Sequence, residues 1–561
     1  MLRASGLPSV EWGENFVVRG FRTRARVVGA LTVCVSIGGF ASGAGAAGTK
    51  PAPVIEAARQ VTTDANPTRL FDVPTVVVDP RDPRTVVVAV GDARNGGCEL
   101  RVSRDAGASW VTTAKNLMPA NLPYCVHRNT GSYIAPAFAS DGTLYVALSG
   151  TPANDHPNGP MTAIVSRTTD LGVTNELSTV ATARTDLTFT SITGTTETNL
   201  IGQHRYASIA VDPHNPLRVY RGWRYGLRGT VVENAAPRIP YVATSLDGGK
   251  TWSEPVNTVT TIPSGEKIFA GDVPVMVVGN DGTVYSFTKE IQDVAIPAAQ
   301  RGKIRLLMST STDGGKTWAA TVINPGATSV TNPFAAIDPK TGEMYVTWDQ
   351  REGNGPQQVL LMSSVDHGKT WTTPVSLPDD TAAKNIEHYN PGISVAPNGR
   401  VDVAWFDFRN DPYFVARTAT AAPVVRYADI YMTSSFDGGK TWAPNQRVTD
   451  RAIDTSVGVT FSNYGLRGTV GIASTDASAY VVWPDSRAGH PDLEAEDAYF
   501  TRVRFADDAP TTAGGGTSSL EWVALGAAIA AIVGGLALGA GTRMVGTASP
   551  SRTEGAQPAR G

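Results

Sequence analysis

Strong charge of one sign is missing from this sequence. Charged residues make up 18% of its 561 positions, 48 Lys and Arg stand against 51 Asp and Glu, and the formal net charge is −3. A nucleic-acid partner needs a basic face, so that class of partner is excluded. Cysteine and histidine are scarce, at three and seven, and none clusters with Asp or Glu at metal-ligand spacing. No glycine-rich phosphate loop and no serine-nucleophile motif occurs. The expectation is a protein with no metal and no cofactor. What the sequence has in quantity is turn residues, with 57 Gly and 37 Pro. A hydrophobic fraction of 41% and an aromatic fraction of 8% are ample for a core. Together these read as an all-β globular protein.

Both ends read as addresses. Arg19, Arg22, Arg24 and Arg26 precede an apolar run from Val27 to Phe40, and small residues follow from Ala41 to Gly48. Residues 1–47 are therefore expected to be a signal peptide, with an uncleaved anchor as the alternative. A second apolar run, Trp522 to Gly541, has the length of a membrane span, so residues 520–541 are expected to form a transmembrane helix. Asp507, Asp508 and Glu521 lie before it and Arg543, Arg552 and Arg560 after it. That bias places the tail, 542–561, in the cytoplasm and the rest outside the cell, joined by a flexible linker over 507–519. The chain thus reads as a single-pass protein of the cell membrane. Cys34 falls within the signal, leaving Cys98 and Cys125 as an even pair in an oxidising compartment. They are expected to form a disulfide that closes about 27 residues and contributes around 3 kcal/mol.

One octapeptide recurs, Ser-x-Asp-x-Gly-x-x-Trp. Its intact copies centre on Asp105, Asp247, Asp313, Asp366 and Asp437, and a worn copy at Asp170 has Asn175 in place of Trp. Ser and Asp oxygens satisfy backbone amides in a tight turn, and Gly supplies a conformation other residues avoid. One active site cannot use six equivalent turns, so these Asp residues read as turn-builders. Before each turn comes a hairpin of alternating residues, such as Gly342 to Trp348 or Gly399 to Trp405. Each unit is then strand A, turn, strand B, loop, strand C, Asp-box turn, strand D. Such four-stranded units repeated radially make a β-propeller. Hairpins starting near Val73, Tyr133, Tyr206, Val273, Phe334, Gly392 and Thr469 count seven blades over residues 56–506, with six as the alternative. The seventh lacks a strand D, and the segment Ala57 to Asp64, similar to Asn445 to Asp450, is expected to supply it and close the ring.

These repeated boxes resemble those of the sialidase and neuraminidase superfamily, the BNR-repeat propellers, in a bacterial surface member. The resemblance implies a glycan or acidic sugar as partner, with an exo-sialidase-type glycoside hydrolase as one outcome. A non-catalytic binding or envelope-assembly module, with an envelope protein as partner, is the other. Sialidases of this kind look six-bladed and carry Arg-Ile-Pro early in the first blade. Here Arg238-Ile239-Pro240 stands five residues before Ser245 and reads as the start of a strand C.

A pocket belongs on the face opposite the boxes, where strand B ends and strand A begins. Asp92-Ala93-Arg94, Asp349-Gln350-Arg351, Asp407-Phe408-Arg409 and Asp485-Ser486-Arg487 read as equivalent strand B ends, with Arg224 similar in blade three and Lys289-Glu290 in blade four. Arg94, Arg224, Arg351, Arg409 and Arg487 are the candidate carboxylate binders. The competing reading pairs each Arg with its own Asp, two residues earlier on the same side of the strand. The resemblance to sialidases also asks for a carboxyl acid and a tyrosine nucleophile with a glutamate activator. By position, Asp72 and Asp272 are candidate acids, Tyr389 and Tyr464 candidate nucleophiles, and Glu290 and Glu387 candidate activators. Each tyrosine also has a plain alternative as a packing residue at the pocket rim, as does Tyr206.

Overall fold

The computed structural model describes residues 52–63, 71–92, 96–127, 131–132, 134–153, 159–190, 194–228, 238–259, 270–291, 302–380, 385–457, 470–488 and 496–506. The expected signal peptide, linker, transmembrane helix and tail lie outside these residues, as do Arg94 and Tyr464. Among the described residues no helix is long and apolar enough to cross a membrane.

Seven antiparallel sheets of four or five strands follow one another along the chain. Blade one runs Phe71–Val78, Val86–Asp92, Cys98–Ser103, Val111–Ala114. The last blade is built from both ends of the propeller. Gly471–Ser474, Ser478–Asp485 and Asp497–Arg504 are its inner strands, and two short N-terminal strands complete it. Val54 pairs with Arg504, Ile55 with Val503, Arg59 with Phe500 and Gln60 with Tyr499. The closing strand lies where its similarity to the other outer strands places it, although it starts earlier and is broken in two. Thr62 Oγ1 donates to the buried Asp497 carboxylate at 2.9 Å, pinning the closure with a sequence separation of 435 residues.

The core is not inside any blade but between neighbours. Strand B of each blade alternates, so both its faces are buried against the adjoining sheets. Trp223, Trp348, Trp405 and Trp483 are the largest of these wedges, each fully buried. Between blades one and two the apolar layer includes Cys98 and Cys125, which form the expected disulfide. Cys98 opens strand C.

The Asp-boxes are saturated turns. In the first, Ser103 Oγ donates to Asp105 Oδ1 at 2.7 Å and accepts from Gly107 N at 2.8 Å, while Asp105 accepts from Ser109 N and Oγ at 2.8 and 2.7 Å. The worn copy keeps the same circuit: Asp170 accepts from Thr174 N at 2.9 Å and Thr174 Oγ1 at 2.7 Å. What it lost is packing, not the turn. Gly107 sits at φ 89°, and a Cβ there would lie 2.1 Å from the Phe500 ring of blade seven. Glycine is required on both counts. Arg238-Ile239-Pro240 leads into strand C of blade three, Ile239–Ser245, as its place in the repeat suggested.

Candidate functional site

Register across the strands decides which residues share a face. In the boxed blades the first residue of strand B to pair with strand C lies opposite the box Ser: Val219 opposite Ser245, Val284 opposite Ser311, Met344 opposite Ser364, Val401 opposite Ser435. Counted from there, Trp223, Trp348 and Trp405 all fall four residues on, and Asp407 falls six on. Asp349 falls only five on. The expected equivalence of Asp349-Gln350-Arg351 with Asp407-Phe408-Arg409 is therefore off by one residue, and Asp349 projects from the opposite side of its sheet. Gln350 holds Asp407's place instead. It accepts from Trp348 Nε1 at 2.8 Å, as Asp407 accepts from Trp405 and Asp485 from Trp483, both at 2.9 Å.

Among the described residues, two Asp–Arg pairs in this register are closed clasps. Arg409 donates from Nε to Asp407 Oδ1 at 3.0 Å and from Nη2 to Oδ2 at 2.8 Å, reaches Asp379 at 2.8 Å, and stacks on the Tyr431 ring. Arg487 grips Asp485 at 2.9 Å, also meets Asp450, and stacks on Tyr499. Arg351 has no such partner in Asp349; its Nη1 donates to the nearby Gly353 carbonyl. Glu290 lies on the side of its strand away from Lys289 and is held by both ends of Arg305, at 2.7 and 2.8 Å.

The residue five on from the one opposite the box Ser faces the start of strand A in the next blade, and there the chemistry collects. Arg224 donates to Asp272 Oδ1 at 2.8 Å, across from blade three to blade four, and lies 4.2 Å over the Tyr206 ring. Lys289 comes within 3.8 Å of Asp272 Oδ2 and donates to the Val330 carbonyl at 3.2 Å. Burial alone would raise the Asp272 pKa, but the charges of Arg224 and Lys289 outweigh it and hold this carboxyl below the ordinary range. One blade on, burial raises the Asp349 pKa in spite of its three donors. These are Asn390 N at 2.9 Å, Thr331 Oγ1 at 2.8 Å and Gln357 Nε2 at 2.5 Å.

In blade six, Tyr389 Oη donates to Glu387 Oε2 at 2.7 Å. The same carboxylate, fully buried, accepts from Gln357 N at 2.9 Å and from Arg417 Nε at 3.2 Å. Burial, and next the Glu387 charge, raise the Tyr389 pKa, so its hydroxyl is protonated. The residue after it, Asn390, is left-handed at φ 51°, and Val73 and Tyr206 occupy the same place in blades one and three at φ 42° and 58°. A bulge follows each of the three. Such strain in non-glycine residues persists only where the surroundings enforce it. Asp72 precedes Val73 in strand A and pairs through its backbone with Gly91.

The structure thus brings Arg224, Asp272, Glu387 and Tyr389 to the start of strand A in blades four and six, and keeps Arg409, Arg487 and Glu290 in pairs of their own. Sequence reasoning missed Arg417, Asp349 and Gln357 as members of this region. Arg417 stands in the long loop between Asp407 and Tyr427, outside the repeat, where no register pointed to it.

No family model and no curated protein matches this chain. Solved structures match it at low identity. The Hadza microbial sialidase Hz136 is 17% identical, with 74% of this chain and 76% of that one covered at a TM-score of 0.39. A protein of unknown function from Dyadobacter fermentans DSM 18053 is 14% identical, with 81% and 100% covered at 0.44. The phage phi92 endosialidase is 9% identical, with 82% and 71% covered at 0.44.

Proposed function

We propose that this chain is an extracytoplasmic propeller, anchored through residues 520–541, that engages an acidic sugar on the face opposite its Asp-boxes and hydrolyses it as an exo-sialidase does. The observation that carries this reading is the Tyr389 hydroxyl bound to Glu387 at 2.7 Å, with Arg417 on the other carboxylate oxygen. A neutral phenol approaches an anionic sugar without charge repulsion, and the carboxylate beside it is a base in hydrogen-bond reach. Glu387 takes the proton as the Tyr389 oxygen bonds to the anomeric carbon. The glycosidic C–O bond breaks, an acid protonates the leaving oxygen, and water releases the sugar from the tyrosine. Asp272 is held ionised by Arg224 and Lys289 and is a poor proton donor, so the acid role goes to Asp72, its counterpart in blade one. Arg224 and Lys289 on Asp272, and Arg417 on Glu387, put cations in this region that favour a carboxylate-bearing substrate.

The test is turnover of a fluorogenic sialoside by the purified full chain. Tyr389→Phe and Glu387→Gln should each lower kcat by about a hundredfold or more with thermal stability retained. A folded chain without turnover retires the hydrolase reading. A non-catalytic glycan-binding or envelope module is the second reading, favoured by the closed clasps on Arg409 and Arg487. Glycan binding without hydrolysis, unaffected by Tyr389→Phe, would select it.

A further inference from the structure

One carboxylate in blade five reaches the backbone on both sides of the Tyr389–Glu387 pair. Asp349 stands on strand B of that blade and is fully buried. Burying a carboxylate is costly unless donors replace its water, and two of its three donors belong to the segments that hold the pair. Asn390 N donates to Oδ2 at 2.9 Å, and Gln357 Nε2 donates to Oδ1 at 2.5 Å. The third, Thr331 Oγ1, donates to Oδ2 at 2.8 Å and ties the carboxylate to its own blade.

Each of the first two bonds acts on one member of the pair. Asn390 follows Tyr389 directly and is left-handed at φ 51°, a conformation that a non-glycine residue keeps only where its surroundings enforce it. It also precedes Pro391, which narrows its backbone choices further. The Asn390 N–H lies in the same rigid peptide plane as the Tyr389 carbonyl, so a bond to that N–H fixes how the chain turns after Tyr389. Gln357 acts on the other member. Its backbone N donates at 2.9 Å to Glu387 Oε2, the oxygen that also accepts from the Tyr389 hydroxyl at 2.7 Å. His388 N donates back to the Gln357 carbonyl at 3.0 Å. We propose, resting on the hydrolase reading above, that Asp349 is a positioning residue: one oxygen sets the Tyr389 peptide through Asn390, and the other sets the Glu387 carboxylate through Gln357. It acts through these neighbours and touches no substrate itself.

The experiment compares Asp349→Ala with Asp349→Asn in the purified full chain. In Asp349→Ala, kcat for a fluorogenic sialoside should fall by about a hundredfold with KM within about twofold, the mark of a misplaced reacting group. Asparagine keeps an oxygen for the Asn390 amide, and the Gln357 amide can turn to accept from the new NH2, so Asp349→Asn should restore kcat to within about threefold. Hydrogen exchange of residues 387–392 reads the clamp without turnover. It should quicken by about tenfold or more in Asp349→Ala and return to the wild-type rate in Asp349→Asn. A merely structural clasp would lower Tm in Asp349→Ala and leave kcat as it was. That result, or equal losses of kcat in the two variants, overturns the assignment. A folded wild-type chain without turnover retires the hydrolase reading alone, and exchange then decides: an unchanged rate in Asp349→Ala overturns the clamp too. Should Asp349→Ala fail to fold, Gln357→Leu takes its place, since it removes the bond to Asp349 and keeps the backbone amide on Glu387. Its kcat should fall by about tenfold at unchanged KM, with faster exchange over the same segment, and no change in either overturns the assignment.

Discussion

The two faces of the propeller treat their repeats in opposite ways. On the Asp-box face every blade that has a box solves the turn with the same bonds. Even the worn copy at Asp170 keeps them. On the other face, one position repeats in geometry and diverges in chemistry: five residues on from the one opposite the box Ser, strand B carries Arg224, Lys289, Asp349 and Phe406 in four successive blades. Sameness marks what every blade needs to stand, and divergence marks what one quadrant does that the others do not. The clasps of Arg409 and Arg487 belong with the first class although they lie on the second face, because they repeat the same partners, down to the Trp N–H on the aspartate.

The comparison breaks most visibly in the interblade wedges. Trp405→Ala should cost about 3–5 kcal/mol in a urea titration, the penalty of emptying a buried aromatic site, and should leave Asp407 without its Trp405 donor. A cost below about 1 kcal/mol would mean the ring is not held by its wedges. Next in size is Arg409→Ala. It strands the fully buried Asp407 carboxylate, and removing one partner of a buried pair costs about 3–5 kcal/mol. Arg351→Ala, which breaks a contact with a loop carbonyl, should stay within about 0.5 kcal/mol. Equal costs for the two arginines would restore the equivalence that the register denies.

The seven-fold count, the closing strand and the disulfide were legible because each rests on a local pattern: a turn motif, a similar outer strand, an even pair of cysteines. The candidate site was legible only in part, and the reason is parity. Asp-x-Arg recurs in Asp349 to Arg351 and in Asp407 to Arg409, yet a single residue of register turns one to the sheet's other side. The marker that fixes parity was present as Trp348 and Trp405, one residue before Asp349 and two before Asp407. Glu387 and Tyr389 were found because they stand beside a strand start. Arg417 was not, since contacts made by a long loop between strands leave no period in the sequence.

Acid gives the last test, and it separates the two regions by pH. His204 is buried and its pKa is lowered to about 4 from 6.5, by burial first and then by the Arg221 charge. Its Nδ1 accepts from Trp223 Nε1 at 2.7 Å, which requires the neutral ring. A depressed folded pKa means that stability is fully present above the unfolded value and is lost as pH falls, here from 6.5 toward 4. His204→Gln should flatten that part of the acid titration. The box carboxylates respond lower down. Asp105, Asp170, Asp247 and Asp366 sit at about 2 against an ordinary 3.8. In Asp105, Asp247 and Asp366 the leading cause is the hydroxyl donor four residues on, and in Asp170 the backbone N–H of Thr174. By the same sign, their contribution is whole above 3.8 and lost as pH falls toward 2. Asp247→Asn should therefore lower stability at neutral pH slightly, and make the loss below pH 3.8 shallower while leaving the His204 window untouched. Circular dichroism followed from pH 7 to pH 2 would read both windows, and a variant in one that shifts the other would join the two regions into a single titrating unit.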